Sequence, residues 1–378
     1  MKRLFAAVLF LSLLAPGAQA FKKPKFKPME IPGLEERPGY WKVRPQEIID
    51  ICKGVKNGKV EVVAKTPLGY PVYAVFFGDF SEAAPQTSWA AGGSSTTIDS
   101  YLGDAPRDRQ TLMFIAGVHG SEPEPVAAAV NLIKLLDTGK DFRGREDAEL
   151  LELASKYRII IMPCVNMDGR AISPDHLRGQ PYDVLRTACQ GIWKDGTVIG
   201  WHGSKEYFPL PLDKVSYPGG YPNSKGYNIQ HDVTPGDMRT EEAKAVCKLM
   251  SRWRVDFMLN GHSNGYQPFL IYPSNVESAA HKERATAIAD KANMAFYEAG
   301  FRKSSRWSRK SKDILNLSNL TEWCSGGLGM TLECPQSFDN VQNPTRLYTF
   351  EEMMEPVFMV LKIVMADGLS APLAERNN

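Results

Sequence analysis

His119 and Glu122 stand three residues apart in Thr111–Val126, TLMFIAGVHGSEPEPV. An imidazole and a carboxylate on one tight turn are two of the three protein ligands of a catalytic zinc site, which keeps a further position for water. The pair alone means little. Six His and 43 acids produce roughly 0.7 such pairs by chance in a chain of this composition, and Glu122 also suits the first turn of an ordinary helix. His262 offers a third ligand, and Glu333 a carboxylate to act on the water. Each has a plain alternative, a hydrogen-bonded loop histidine and a surface carboxylate at a strand end. The flanks FMLNGH and MTLE weaken both alternatives, because they set these polar groups at the mouth of an apolar run.

Chemistry of that kind needs elements that bring distant residues together. Thr111–Val118 reads as a buried strand that ends at His119; Arg158–Val165 is a second, ending in the polar turn Asn166-Met167-Asp168-Gly169. Val255–Asn260 ends at His262, and Gly329–Leu332 ends at Glu333. In a parallel sheet such ends converge on one edge, where open α/β sheets hold their ligands. Lys59–Phe77 reads as two strands around a turn at Pro67-Leu68-Gly69, and Phe269–Tyr272 as a further short one. Helices are expected at Gln46–Val55, from Ser121 to about Asp137, at Thr240–Arg254, Val276–Ala299 and Thr349–Ala366. Ser121 fits an N-cap and Glu124 its capping-box partner. Ser173–Gly226 shows no long period and reads as a rim of loops, and Asp79–Arg109 as a surface insertion. Alternating strands and helices imply a mixed, largely parallel sheet covered on both faces.

The remaining sequence bounds the function. Lys2 and Arg3, the apolar Leu4–Leu14 and the small-residue site Ala18-Gln19-Ala20 make residues 1–20 a signal peptide, so the chain is expected to be exported, to the periplasm or beyond, with no stable membrane span once mature. Without Lys2 and Arg3 the 45 basic residues fall to 43, equal to the 43 acids, and a neutral chain argues against a nucleic-acid partner. Residues 21–44, rich in Lys and Pro, read as an extended arm, packed on the surface or offered to an anionic polymer. None of the six remaining Cys forms a C-x-x-C pair, which disfavours a cysteine–zinc site. In an exported protein some of them can be disulfide-bonded, with pairing and oligomeric state unreadable.

The stretches HGSEPEP, VNMDG, GYNIQHD, NGHSNGYQPFLIYP and MTLECP resemble, in order and spacing, the zinc carboxypeptidase (carboxypeptidase A-like) family. The resemblance runs from about Pro45 to Gly368. It implies a catalytic domain over residues 45–370, followed by a tail at 371–378. The implied fold class is α/β: a three-layer α/β/α domain around a mixed, mostly parallel eight-stranded sheet. One Zn2+ ion would be held by His119, Glu122 and His262, with Glu333 as general base and then acid. Where the family carries Asp-Leu-Asn-Arg, this chain has Asn228-Ile229-Gln230-His231. Asn228 stands in for an aspartate that orients a ligand histidine, and Gln230 and His231 for the Asn-Arg grip on a terminal carboxylate. Histidine is not a bidentate fork. Arg178 or Arg186 is the candidate for the carbonyl-polarising arginine, and Trp307 is the nearest aromatic to the substrate-capping tyrosine. Three readings follow: a metallocarboxypeptidase acting on a peptide, including a cell-wall peptide; an N-acyl amidohydrolase; or a non-catalytic binder on the same scaffold.

Overall fold

The computed structural model describes residues 21–80, 109–234, 236–303, 314–339 and 346–373. Residues 1–20, where a signal peptide is expected, most of the expected 79–109 insertion, Trp307 and the end of the tail lie outside the described residues.

The strands are β1 Lys59–Lys65, β2 Pro71–Phe77, β3 Gln110–Ile115, β4 Tyr157–Met162, β5 Ile192–Trp193, β6 Val215–Tyr217, β7 Phe257–Asn264, β8 Phe269–Leu270 and β9 Leu328–Pro335. Seven of them form one sheet in the order β1-β2-β4-β3-β7-β9-β8. The four inner strands β4, β3, β7 and β9 are parallel. The edges β1, β2 and β8 run antiparallel to their neighbours. Among the described residues the sheet thus has seven strands where eight were expected. The 173–226 region adds no strand to it. That region folds into two helices and the separate β5–β6 ribbon, so it is more than a rim of loops.

The longer helices are α1 Pro45–Lys53, α2 Pro123–Thr138, α3 Tyr182–Gln190, α4 Glu241–Trp253, α5 Ala279–Glu298 and α6 Phe350–Ser370. Helices α1, α2, α5 and α6 pack on one face of the sheet. Helix α4 and the short helix Leu320–Ser325 cover the other. Both faces being covered, β3 and β4 are buried at every residue, as parallel inner strands require. The foot of β3 is tied to the C-terminal helix: Gln110 Nε2 donates to the Gly368 carbonyl at 2.8 Å and Gln110 Oε1 accepts from Leu373 N at 3.0 Å.

Two local expectations need correction. Helix α2 is capped by Glu122, not Ser121, and without a side-chain cap bond. The Glu122 carboxylate is turned to the two histidines instead. Strands β7 and β9 continue past their expected ends, because parallel pairing persists to Asn264 and Pro335. His262 and Glu333 therefore lie inside strands, as register partners.

The arm at residues 21–44 is docked. Trp41 is fully buried, and its Nε1 donates to the Asp175 carbonyl at 2.9 Å. Arg37 bridges Asp175 at 2.7 Å and Glu47 at 3.0 Å, while Arg44 meets the same Asp175 oxygen at 2.8 Å.

Candidate metal centre

Three segments meet at the carboxyl edge of the sheet. His119 follows β3 on a loop that the fold holds tightly. A Cβ on Gly120 would lie 2.1 Å from the Arg170 backbone nitrogen, so only glycine fits where this loop presses on the helix Met167–Ile172. Gly120 N donates to the Gly220 carbonyl at 2.7 Å, and its own carbonyl accepts from Arg170 Nη1 at 2.7 Å. Gly261, beside His262, plays a similar part: a Cβ there would meet Pro125 at 2.6 Å, so its absence lets α2 start close against β7.

The three side chains are buried, at 2–3 % exposure, and their ligand atoms lie within 4.8 Å of one another. His119 Nδ1 is 2.9 Å from Glu122 Oε1, His262 Nδ1 is 2.9 Å from Glu122 Oε2, and the two Nδ1 atoms are 3.2 Å apart. Two ring nitrogens and a carboxylate converging in this way are all electron-pair donors toward one point once the Nδ1 protons are gone. Bonds of ~2.0–2.1 Å from a tetrahedral zinc to nitrogen give a ligand–ligand edge of about 3.3 Å, which the His–His separation matches. Metal on Nδ1 leaves the proton on Nε2. His119 Nε2 has an acceptor for it in Asn228 Oδ1 at 3.1 Å, the kind of outer partner that fixes a ligand histidine. His262 Nε2 is buried with no partner among the described residues. The donor set fits a zinc ion.

The electrostatics point the same way. Burial would raise the Glu122 carboxyl, but His119 and His262 outweigh it and hold it at about 2. Burial lowers His119, against the pull of Glu122. At His262 burial is outweighed by Glu122 and then Glu333, and the ring is raised. Glu333 is partly buried and paired in register with His262 on the parallel β7–β9 ladder, so the two side chains share one face of the sheet.

The other expected site residues separate into two groups. Asn228 is in place against His119. Gln230 is buried beneath the site, where its Oε1 accepts from Asn260 Nδ2 at 2.9 Å. His231 is within the field of the site: burial, then the charges of His119, Lys205 and His262, lower it to about 3, so it is neutral. Arg178 is committed elsewhere. Its Nε donates to the Tyr348 carbonyl at 2.6 Å, its Nη1 pairs with Glu35, and it lies over the Phe350 ring.

Sequence reasoning missed three residues. Tyr221 stacks on His119 with ring centroids 4.1 Å apart and is buried. Arg170 is a buried cation whose bonds to Gly120, Ser173 and Pro174 all end on carbonyls, pinning the ligand loop. Lys205 sits 4.0 Å over the Trp201 ring, which packs edge-on against Tyr221. Aromatic and basic residues in 200–221 were the available signal, but no period placed them. Asn166 was legible as a strand-end residue: its Oδ1 caps Gly169 N at 2.9 Å and its Nδ2 donates to the Tyr221 carbonyl at 3.1 Å.

A family model described as zinc carboxypeptidase matches residues 57–331, most of the chain and all three convergent residues. The chain belongs to the zinc carboxypeptidase family. It is a zinc peptidase of that family, with zinc as its cofactor and His119, Glu122 and His262 as the candidate ligand set. The family match stops two residues short of Glu333. Solved structures share the carboxypeptidase fold. A metallo-carboxypeptidase from Burkholderia cenocepacia is 16 % identical with a TM-score of 0.51, the match covering 85 % of this chain and 68 % of that one. The metallo-carboxypeptidase from Pseudomonas aeruginosa, solved with (2-guanidinoethylmercapto)succinic acid, gives 16 % and 0.52, over 85 % and 67 %. Carboxypeptidase A from Helicoverpa armigera gives 13 % and 0.52, over 90 % and 76 %. No curated protein matches the chain. No helix among the described residues is long and apolar enough to cross a membrane.

Proposed function

We propose that this zinc carboxypeptidase-family chain is exported and cleaves an amide bond in a peptide, a cell-wall peptide among the candidates, with zinc on His119, Glu122 and His262 and with Glu333 as general base and acid. The observation that carries the reading is the meeting of three electron-pair donors beside Glu333, the register partner of His262. When bound, zinc supplies Lewis acidity, polarising the scissile carbonyl and making water a nucleophile near neutral pH. Glu333 takes the proton of the attacking water and returns it to the leaving amine. Asn228 keeps the His119 ring in the orientation that leaves Nδ1 as the ligand atom. Arg170 keeps the loop that carries His119 and Glu122 from relaxing.

A second reading, an N-acyl amidohydrolase, is favoured by the fate of the expected carboxylate grip. The Gln230 oxygen is taken by Asn260 and His231 carries no charge, while Arg178, a candidate for polarising the scissile carbonyl, is engaged with Glu35 and Tyr348. A substrate without a free terminal carboxylate loses nothing at such a pocket. The test is a matched panel of free-acid and C-terminally amidated peptides, with zinc content measured on the same preparation. Preference for the free acid supports a carboxypeptidase; equal cleavage supports the amidohydrolase; a protein that holds no zinc sinks both.

A further inference from the structure

The metal centre uses none of the six cysteines, and two of them face each other. Cys247 lies on α4 and Cys324 on the short helix Leu320–Ser325; both are partly buried against the same core layer. The two helices are fastened side by side. Thr321 Oγ1 donates to Met250 Sδ at 3.3 Å, and Ser325 Oγ to the Val255 carbonyl at 2.7 Å. Cys324 comes about one helical turn after Thr321, and Cys247 about one turn before Met250. That crossing brings the two thiols into a direct hydrogen bond.

We propose that Cys247 and Cys324 are a disulfide-forming site, oxidised by a small-molecule or protein disulfide. The four other thiols make the contrast. Cys52, Cys164, Cys189 and Cys334 are buried, and burial pushes the first three up to about 12. The attacking species in disulfide exchange is the thiolate, and it must be reachable. Cys247 and Cys324 are both partly exposed and are hydrogen-bonded to each other. The thiolate of one attacks one sulfur of the oxidant, forming a mixed disulfide and releasing one thiolate. The sulfur of the other then attacks the cysteine sulfur of that mixed disulfide, closing the bond and releasing the second thiolate. The two protons shed by the cysteines go to the two leaving thiolates, so the oxidant ends as two thiols, reduced by two electrons.

The bond joins two pieces of the site's frame. Helix α4 follows the Asn228–His231 segment, and the short helix leads within three residues into β9, which carries Glu333. Leu317 N already donates to the Gln230 carbonyl at 3.1 Å between the same two regions. A covalent link there limits how far the Asn228 side of the site can part from the Glu333 side.

The experiment incubates the full chain with glutathione disulfide, alkylates it in denaturant, and digests it without reductant. The expected result is two of the six cysteines protected, and one linked peptide pair joining Cys247 to Cys324 that separates on reduction. Cys247→Ser removes that pair and leaves a glutathione adduct on Cys324. Reductant lowers the wild-type melting temperature by about 5 °C, on the scale of a native disulfide in a domain of this size, and leaves the Cys247→Ser/Cys324→Ser variant unchanged. Six alkylated cysteines after glutathione disulfide, or a linked pair between other positions, overturns the proposal. Neither readout involves peptide hydrolysis, so the outcome stands apart from the reading of the metal centre.

Discussion

Two clusters of ionisable side chains in this protein, one partly exposed and one buried, differ in what they leave unmet. Behind the ligand loop, Arg37 and Arg44 face Glu47 and Asp175 in opposite-charge pairs, and the second Glu47 oxygen accepts from the Val43 and Arg44 backbone at 3.1 and 3.0 Å. Within the site, two imidazoles and a carboxylate turn electron-pair donors toward one point, and His262 Nε2 has no partner among the described residues. The first cluster is complete with protein alone. The second is complete only with a cation from outside. A cluster of ionisable groups therefore reports function through the signs that meet, not through the charge it contains.

The sharpest way to break that contrast is at Glu333 and His262. Glu333→Gln should lower kcat by about 10³-fold or more, within the reach of a general base and acid, while zinc measured by elemental analysis stays near one per chain. His262→Ala should lose the zinc as well as the activity. A Glu333→Gln protein with wild-type kcat would remove that residue from the chemistry. Next in size is Asn228→Ala, expected to weaken zinc about 10–100-fold in a chelator competition, as loss of an outer partner does. Asn228→Asp should restore or tighten binding.

In the complete cluster the expectation reverses. Arg37→Ala should cost about 1–3 kcal/mol of unfolding free energy, since it removes the cation that bridges Glu47 and Asp175 in a partly buried place, and leave zinc affinity unchanged. Loss of zinc in that variant would mean the two clusters are not independent.

Glu242 is the intermediate case: an acid 1 % exposed, with the Asn223 amide at 3.3 Å as its side-chain partner. Burial, with Asp168 and Asp232 adding, pushes its carboxyl up to about 7. The folded state thus favours the protonated form. Its contribution is intact below the usual carboxylate range near 4.5 and is lost as pH rises through about 7. Glu242→Gln should therefore be neutral near pH 4 and stabilising by about 1–2 kcal/mol at pH 8, read as a difference in thermal unfolding between the two pH values. A gain of equal size at both would show that charge is not the cause.

How much of this was legible in the sequence follows from which patterns carry position. Apolar runs with abrupt polar ends, such as the one before His119, located the strands and their edge, because in an inner parallel strand every residue is buried. Those runs could not set where pairing stops, so His262 and Glu333 were placed just beyond strands that in fact contain them. Ser121 matched a capping box by residue type, yet the cap fell to Glu122, whose carboxylate the histidines claim. In residues 173–226 no period survives, and Tyr221 and Lys205 reach the site only through tertiary packing. Arg178 was chosen by type alone; its actual partners, Glu35 and Tyr348, lie 143 and 170 residues away in sequence, a separation no local pattern encodes.

The bonds from Gln110 to Gly368 and Leu373 join the first residue of β3 to the end of the helix that begins at Phe350 and to the residues just after it. A truncation before residue 368 would therefore keep His119, Glu122, His262 and Glu333 in the chain and still remove the clasp at the foot of the strand that leads to His119.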